Sequence, residues 1–335
     1  MPASSVKIVR FHRTGGPEVL QVEQLPLPEP GKGEVRLRVH AIGLNRAEVM
    51  FRKGAYLVEP KFPSKTGYEA SGVVEAVGSD VDKNMIGKKY STVPSFDLGK
   101  YGVYGEIAIV PAYALAVYPE KLSFAEAASI WMQYLTAWGA LVHFGKLSQN
   151  DYVVITAASS SVGLAAIQIA HAQGAKSIAV TRTAEKKAEL LALGADHVIV
   201  TDDEDFPTRI NEITGGKGVR MIFDPIAGKG VNALAEGLAP GGILFVYGNL
   251  ANEPMTPFPL FPALAKGLTL RGYTLFEIVS QPKVRAEAEK YIYMHLEDGT
   301  FKPKIARTFT LDQIVDAHRY MESNAQIGKI VVIAN

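Results

Sequence analysis

Between Tyr152 and Val246 the chain alternates short apolar runs with segments of helical periodicity, and this alternation constrains the fold more than any other feature. Glycines such as Gly174 and Gly194 end the intervening helices. Five runs are predicted as strands: Tyr152–Thr156, Ser177–Thr181, His197–Val200, Val219–Phe223 and Gly242–Val246. Strands that are apolar on both faces and joined by amphipathic helices are typical of a parallel sheet. The sequence therefore predicts an α/β domain built on a doubly wound parallel sheet.

The loop after the first of these strands has the position and the small residues of a phosphate-binding turn. In a Rossmann unit this turn reads G-x-G-x-x-G, and it directs backbone N–H groups and a helix N-terminus at a pyrophosphate. Only the last glycine is present here, and the predicted contacts are Ser159, Ser160, Ser161, Val162 and Gly163. Small side chains permit the same turn, and serine hydroxyls add hydrogen bonds to phosphate. A serine-rich turn that only caps a helix is the alternative.

The end of the second strand indicates which cofactor binds. NAD-binding units place an acidic residue about 20 positions beyond the glycines, where it holds the ribose hydroxyl. This chain has cations there instead, and the predicted contacts are Thr181, Arg182, Thr183 and Lys186. Cations in place of the acid favour the 2′-phosphate of NADP(H), although a solvated helix start would show the same residues. Tyr247, Gly248 and Asn249 follow the fifth strand, at the end of the sheet where ligands bind.

The first 120 residues follow a different pattern. Short strands such as Glu34–Ile42 and Gly72–Val77, separated by glycine and proline, predict a β-rich domain shaped as a partly open barrel. Ser123 and Glu126 form a capping-box pattern before a long helix predicted from Phe124 to Phe144. We expect the last 60 residues to return to the β-rich domain. The predicted boundaries are 1–125 with 275–335 for this catalytic domain and 126–274 for the NADP-binding domain.

Composition excludes several classes of site. The chain has 335 residues, a net charge of +1 and no cysteine. The absence of cysteine excludes disulfides, cysteine-ligated zinc, iron–sulfur clusters and a thiol nucleophile. Balanced charge gives no reason to expect nucleic acid or a membrane surface as a partner. No apolar stretch is long enough to span a bilayer, and the N-terminus lacks a secretory signal, so we expect a cytoplasmic protein.

Several motifs along the whole chain resemble those of the medium-chain dehydrogenase/reductase superfamily, specifically its zinc-independent quinone oxidoreductase (ζ-crystallin-like) branch. They are GGPEVL from Gly15, GLNRAE from Gly43, GYEASGVVEAVG from Gly67, LTAW from Leu135, SVGL from Ser161 and GKIV from Gly328. Zinc-dependent members have a Cys and a G-H-E motif near the metal, whereas this chain has Asn45 and Tyr68 at the Cys and His positions. The resemblance therefore implies a site without metal, in which the nicotinamide supplies the hydride.

The resemblance also implies roles for single residues. Asn45 and a carboxylate, here Glu48 in place of the usual Asp, would line the nicotinamide end of a cleft between the domains. Tyr56 matches a substrate-facing tyrosine that is a candidate proton donor, and Thr136 matches a helix that approaches the nicotinamide. Lys329 resembles a lysine that faces the cofactor. Structural alternatives stay open: a helix N-terminal acid for Glu48, a half-buried loop aromatic for Tyr56 and a surface strand start for Lys329.

These inferences predict an NADPH-dependent, metal-free reductase that transfers a hydride to a small-molecule electron acceptor, either a quinone or another α,β-unsaturated carbonyl. The resemblance also implies a homodimer that associates near strand Leu268–Gly272. One alternative is an enoyl-thioester reductase, which would need a basic groove around Arg46, Arg52, Lys53 and Lys61. Another is a non-catalytic NADPH-binding protein, like the crystallins recruited from this family.

Overall fold

The computed structural model describes residues 5–334, and the chain divides into two units. Unit 1 is Met1–Met132 with Pro303–Asn335, and unit 2 is Gln133–Lys302. The strands before residue 120 are β1 (Ser5–Arg10), β2 (Gln21–Pro26), β3 (Glu34–Gly43), β4 (Glu69–Val77), β5 (Lys89–Thr92), β6 (Ile107–Pro111) and β7 (Leu115–Ala116). The first helices are α1 (Arg46–Arg52), α2 (Leu98–Tyr101) and α3 (Phe124–Ala127).

The middle of the chain alternates strands with helices. Its strands are β8 (Tyr152–Ile155), β9 (Lys176–Thr181), β10 (His197–Val200), β11 (Val219–Asp224), β12 (Leu238–Val246) and β13 (Thr269–Gly272). Its helices are α4 (Trp131–Trp138), α5 (Ser161–Ala172), α6 (Lys187–Ala192), α7 (Phe206–Thr214), α8 (Val231–Gly237), α9 (Leu260–Lys266), α10 (Phe276–Val279) and α11 (Pro282–Glu297). The chain then adds β14 (Ile305–Thr310), α12 (Ile314–Glu322) and β15 (Lys329–Ile333).

The strands of unit 2 form one parallel sheet in the order β10-β9-β8-β11-β12-β13. The winding reverses between β8 and β11, which is the arrangement of a Rossmann domain. Val154, Ile222 and Leu244 on the central strands have no exposed surface, because helices cover the sheet on both faces. The predicted doubly wound parallel sheet is confirmed.

Unit 1 is built on a mixed sheet. Its strands follow the order β14-β15-β3-β4-β5-β7, with β6 also paired to β3, while β1 and β2 form a separate antiparallel pair. Strand β15 pairs with β14 in parallel and with β3 in antiparallel fashion. Strand β15 therefore lies beside the strand that leads into α1, and this pairing places Lys329 near Asn45.

The second crossing between units occurs later than expected. We expected the chain to return to the catalytic domain at residue 275, whereas unit 2 extends to Lys302. Aromatic packing explains the difference: Tyr291 on α11 contacts the ring of Trp138 at 6.4 Å, and Phe301 stacks on Tyr134 at 4.9 Å. These contacts hold α11 and the segment after it against α4.

The long helix predicted from Phe124 to Phe144 is interrupted. It consists of α3, α4 and a π-helical turn over Gly139–Phe144, although the capping box at Ser123 and Glu126 is confirmed. The break creates a new helix start, where the N–H of Met132 donates to Oε1 of Glu69 at 2.9 Å. Because Glu69 is distant in sequence, the residues around Met132 give no indication that a helix starts there. Within residues 5–334 no helix combines the length and the apolar character needed to cross a membrane.

Candidate active site

The loop after β8 turns tightly into α5. Ser160 caps α5, and its hydroxyl accepts a hydrogen bond from the N–H of Gly163 at 3.0 Å. A Cβ at Gly163 would lie 2.5 Å from the carbonyl oxygen of Ala158, so only glycine fits this approach of helix and loop. Ala157 has a φ of 45°, a left-handed conformation of the kind that concentrates at ligand-binding turns.

Two cations lie near this loop. Lys186 donates from Nζ to the hydroxyl of Ser159 at 3.1 Å, while Arg182 is exposed just beyond β9. Partial burial and the positive charge of Arg182 lower the pKa of Lys186. Thr181 and Thr183 flank the arginine, and the hydroxyl of Thr181 bonds the carbonyl of Thr183. Neighbouring cations beside a serine-rich turn repel each other, and an anion bound between them would relieve that repulsion.

The ends of β8 and β11 meet where the winding of the sheet reverses. The hydroxyl of Thr156 donates to Oδ1 of Asp224, and Oδ2 of Asp224 accepts from the N–H of Ala227 at 2.7 Å. Asp224 is fully buried, and burial raises the pKa of its carboxyl group. Since ligands of doubly wound sheets bind at this reversal, these bonds fix the shape of the cofactor end of unit 2.

The segment after β12 lies at the same end of the sheet. Tyr247 stacks on Phe223 with ring centroids 4.0 Å apart, and its buried hydroxyl has no partner among the described residues. A Cβ at Gly248 would lie 2.7 Å from the carbonyl oxygen of Pro225. Gly248 therefore packs closely against the backbone of Pro225. Asn249 is exposed and donates to the carbonyl of Glu253 at 3.1 Å.

Helix α4 contributes polar groups within an apolar surrounding. Thr136 is buried, and Tyr134 donates its hydroxyl to Oε1 of Gln168 at 2.8 Å. The side-chain oxygen of Gln133 is buried and has no hydrogen-bond partner among the described residues. An unsatisfied amide oxygen in a core is uncommon, so Gln133 joins the hydroxyl of Tyr247 as a group able to accept or donate to a ligand in unit 2.

In unit 1, Asn45 lies in a buried cluster of charges. Lys329 donates from Nζ to Oδ1 of Asn45 at 2.6 Å and forms an ion pair with Glu69. The amide nitrogen of Asn45 lies 3.1 Å from the carbonyl oxygen of Gly43, 3.2 Å from Glu48 Oε1 and 3.2 Å from Glu69 Oε2. The polar atoms of the Asn45 side chain are therefore engaged within the cluster, and Lys329 is not a surface residue at a strand start.

Glu48 is held in place by several hydrogen-bond donors. Its oxygens accept from the N–H of Asn45 at 2.6 Å, the N–H of Tyr68 at 3.0 Å and the hydroxyl of Tyr104 at 2.7 Å. Complete burial raises the pKa of this carboxyl group, and these three hydrogen bonds oppose that rise. The bond from Asn45 is the glutamate half of a capping box, so Glu48 caps the N-terminus of α1.

A chain of hydrogen bonds leads from Glu48 to α12. Arg52 donates from Nη1 to Nδ1 of His318 at 2.9 Å, and Nε2 of His318 lies 3.2 Å from the hydroxyl of Tyr104. Because arginine can only donate, Nδ1 of His318 must accept, and Nε2 carries the proton toward Tyr104. Burial and the charge of Arg52 lower the pKa of His318 to about 3, so the ring stays neutral.

Tyr56 lies in the loop after α1 and is half-buried. Tyr68, which interacts with it electrostatically, is almost completely buried. Burial and the nearby charge of Glu48 raise the pKa of Tyr56, so the phenol is protonated at neutral pH. Leu57 and Val58 follow it with much of their surface exposed. Tyr56 is therefore a protonated phenol beside an exposed apolar loop.

Comparison with known proteins agrees with this division into two units. One family model, an alcohol dehydrogenase GroES-like domain, matches residues 31–120, and another, a zinc-binding dehydrogenase, matches residues 161–290. A quinone oxidoreductase of Salmonella typhimurium is 31% identical over 97% of this chain and 98% of its own length. The chain belongs to the quinone oxidoreductase branch of the medium-chain dehydrogenase/reductase superfamily.

Two further relatives are a reductase of another named substrate and a quinone oxidoreductase of known structure. A 2-haloacrylate reductase of Burkholderia is 31% identical over 96% of this chain and 97% of its own length. The crystal structure of the Escherichia coli quinone oxidoreductase complexed with NADPH has a TM-score of 0.90 at 30% identity, and covers 98% of this chain and 99% of that chain. The family predicted from the sequence motifs is confirmed.

The sequence analysis did not identify several residues of the buried polar cluster around Asn45 and Glu48. Glu69 follows Tyr68 in the stretch that matches the G-H-E motif, so the resemblance itself contained the signal. Tyr104 and His318 gave none, because they lie 214 positions apart and neither belongs to a motif. Within residues 5–334 the structure brings together no three His, Asp or Glu side chains able to hold a metal ion.

Proposed function

We propose that this chain is an NADPH-dependent reductase that delivers a hydride to a quinone or another α,β-unsaturated carbonyl acceptor. The observation that carries the proposal is the pair of cations, Arg182 and Lys186, beside the serine turn of a Rossmann sheet. Membership in the quinone oxidoreductase branch supports oxidoreductase activity, and the NADPH complex of the Escherichia coli relative supports the cofactor.

The residues of unit 2 fit NADPH. Gly163 leaves a space beside Ala158 that no Cβ could share, which brings the helix N-terminus close to a bound pyrophosphate. Ser159, Ser160 and Ser161 would supply hydroxyl and N–H donors together with Val162 and Gly163. Arg182 and Lys186, flanked by Thr181 and Thr183, would hold the 2′-phosphate. The unpartnered hydroxyl of Tyr247, with Gly248 and Asn249 beside it, would serve the nicotinamide half.

The residues of unit 1 support the second half of the reaction. When NADPH is bound, its nicotinamide supplies the hydride. Tyr56 then donates a proton to the oxyanion that hydride addition creates on the acceptor, since its phenol is protonated and reachable. Asn45, Glu48 and Lys329 act indirectly, because their polar atoms bind one another and hold the loops around Tyr56 in place. Thr136, which belongs to unit 2, is proposed as a further polar contact at the nicotinamide.

The acceptor is proposed as a small conjugated carbonyl compound. The exposed side chains that follow Tyr56, among them Leu57, Val58 and Phe62, form an apolar surface suited to a quinone ring or an enone. The Burkholderia relative is named for a haloacrylate, which is also an α,β-unsaturated carbonyl compound. Both classes need the same two events, addition of hydride to an electron-poor carbon and protonation of an oxyanion.

An enoyl-thioester reductase is less well supported by unit 1. The basic groove that this alternative needs is not formed by Arg52, which is fully buried and bonded to His318 and Glu322. Lys53 forms an ion pair with the same Glu322 at 2.6 Å. Arg46 donates to the carbonyl of Met321 at 2.9 Å. Three of the four predicted cations are therefore engaged by the chain itself.

We also propose that the protein forms a homodimer through the edge of the unit 2 sheet. Strand β13 ends the sheet and, among residues 5–334, pairs with β12 alone, so its other edge has backbone groups that no described strand pairs. Helix α9 beside it exposes Phe261 and Leu264, which are 80% and 71% accessible. A second copy would cover both features. Light scattering on the wild type and on Phe261→Glu tests this, with a dimer expected for the first and a monomer for the second.

The decisive experiment is NADPH oxidation, measured as loss of nicotinamide absorbance, with a para-quinone, an enone and an enoyl thioester in parallel. Turnover on the quinone or enone supports the proposed function. Turnover on the thioester alone supports the enoyl-thioester alternative. Binding of NADPH without turnover on any acceptor would contradict the proposal and support a non-catalytic NADPH-binding protein.

A further inference from the structure

The backbone of Ala227 has a conformation that alanine rarely adopts. Its φ is 61° and its ψ is −152°, a region of the backbone map that is populated almost only by glycine. Among the described residues one other alanine, Ala157, has a positive φ. The two alanines follow the adjacent parallel strands β11 and β8, between which the winding of the sheet reverses. Strain of this kind persists where surrounding contacts enforce it, and it concentrates at ligand-binding turns.

The carboxyl group of Asp224 enforces this conformation. Its Oδ2 accepts from the N–H of Ala227 at 2.7 Å, while its Oδ1 accepts from the hydroxyl of Thr156. Asp224 has no exposed surface, and Thr156 and Ala227 are also buried. A buried N–H that loses its acceptor is costly, so the loop does not turn away from Asp224. The side chain at the end of β11 therefore fixes the loop that follows it.

The loop after β11 is hydrogen-bonded to the loop after β12. The carbonyl of Ile226 accepts from the N–H of Ala251 at 3.0 Å, and the N–H of Gly228 donates to the hydroxyl of Thr256 at 3.1 Å. Because these two bonds lie on either side of Ala227, a rotation of its backbone would misalign at least one of them. The two loops therefore keep their relative position while Ala227 keeps its strained conformation.

The two loops lie at the end of the sheet where the nicotinamide half of a dinucleotide would bind. In the sheet order, β9 and β8 are followed by β11 and β12. The proposed 2′-phosphate contact Arg182 comes after β9, and the serine turn comes after β8. A dinucleotide that extends across the carboxyl ends of the strands then continues over β11 and β12. Tyr247, whose buried hydroxyl has no partner among the described residues, also follows β12.

We propose that Asp224 is a positioning residue for NADPH. By holding Ala227 in its strained conformation, it presets the loops after β11 and β12 for the nicotinamide half of the cofactor. The strain is already present in the folded protein, so binding of the cofactor does not have to order these loops. This role rests on the proposed NADPH-dependent function. Since Asp224 has no exposed surface, it acts through the loops.

Binding of two ligands to the full-length protein tests this role. Asp224→Ala removes the acceptor of the Ala227 N–H and should weaken binding of NADPH about tenfold, as measured by fluorescence titration. The same variant should bind adenosine 2′,5′-bisphosphate, which lacks the nicotinamide half, as tightly as the wild type does in calorimetry. Asp224→Asn is the conservative variant, because its carbonyl oxygen can still accept from Ala227. It should bind NADPH within about threefold of the wild type.

A second substitution separates relief of strain from general damage to the protein. Glycine reaches the conformation of Ala227 without a steric penalty. Ala227→Gly added to Asp224→Ala should therefore return NADPH binding to within about threefold of the wild type. The matched control is Ala251→Gly in the same background, because the φ of Ala251 is not positive and glycine relieves no strain there. This control should leave the loss of about tenfold in place.

The outcomes distinguish the role of Asp224 from the proposed function. If Asp224→Ala binds NADPH like the wild type, loses both ligands equally or gains nothing from Ala227→Gly, Asp224 is not a positioning residue, although the protein still binds NADPH. A wild type that does not bind NADPH overturns both proposals. If Asp224→Ala does not fold, hydrogen–deuterium exchange of residues 224–230 in the wild type replaces it. Slow exchange before NADPH is added supports preset loops, and protection that arises only with NADPH contradicts them.

Discussion

The polar groups of the two units differ in how completely the chain itself satisfies them. In unit 1, Lys329, Glu69, Asn45 and Glu48 are buried and bonded to one another across as many as 284 positions of sequence. In unit 2, the serine turn and Arg182 come from short local segments and lie at or near the surface. A buried and fully paired set positions other groups, whereas an accessible set is available to bind a ligand.

The largest expected effect on stability comes from removing the buried ion pair between Lys329 and Glu69. Lys329→Met leaves the carboxylate of Glu69 buried without its cation and should lower the free energy of unfolding by about 3–5 kcal/mol. Urea unfolding measures it. The control is Lys32→Met, which removes an exposed pair with Asp80 and should change stability by less than about 1 kcal/mol. Similar losses in the two variants would mean that the cluster of unit 1 is not a structural centre.

The pH dependence of stability probes the same unit. His318 has a pKa of about 3 when folded and near its usual 6.5 when unfolded, so below pH 6.5 the unfolded chain binds a proton that the folded chain does not. The free energy of unfolding should therefore fall by about 2 kcal/mol from pH 6.5 to pH 5 on account of this residue.

The matched variant for this pH effect is His318→Gln, which should be less stable at neutral pH but should lose less stability on acidification. His40, whose pKa burial also lowers, titrates in both proteins and cancels in the difference. Parallel pH profiles for the wild type and the variant would show that His318 is not held neutral.

In unit 2, the expected effects are on ligand binding. Gly163→Ala places a Cβ 2.5 Å from the carbonyl of Ala158 and should weaken NADPH binding about ten- to thirtyfold, since the turn must shift. Gly230→Ala is the control, because no atom lies within 4 Å of its added Cβ. Fluorescence titration with NADPH measures both. If Gly163→Ala binds NADPH as tightly as the wild type, the proposal that the serine turn binds the cofactor is wrong.

The smallest effect concerns the choice of cofactor. Arg182→Glu should weaken binding of NADPH about tenfold more than binding of NADH, because it replaces a cation at the 2′-phosphate with an anion that suits a ribose hydroxyl. Arg319→Glu, an exposed arginine of unit 1, controls for the change in net charge. Equal weakening for the two cofactors would disprove the assignment of Arg182 to the 2′-phosphate.

The sequence determined the Rossmann sheet, its serine turn and the cations after the second strand, because these features depend on periodicity and on residues close together in the chain. The resemblance added the family. Neither the periodicity nor the resemblance predicted the break in the helix after α3. The N–H of Met132, at the new helix start, bonds to Glu69, which lies far away in the sequence. The end of unit 2 at Lys302 was not predicted either. Helix α11 and the segment after it belong to this unit because the rings of Tyr291 and Phe301 pack against α4.

Only the tertiary structure decided what the polar residues of unit 1 do. Asn45, Glu48 and Lys329 are candidates for contact with a ligand in the sequence, and the fold joins them with Glu69 in one hydrogen-bonded cluster. The cause is burial: a charge removed from water must find a partner, and the pairing of β15 with β3 supplies one from the far end of the chain. The surroundings of an accessible residue such as Arg182 follow mainly from its local sequence, whereas the partners of buried residues are decided by the tertiary structure.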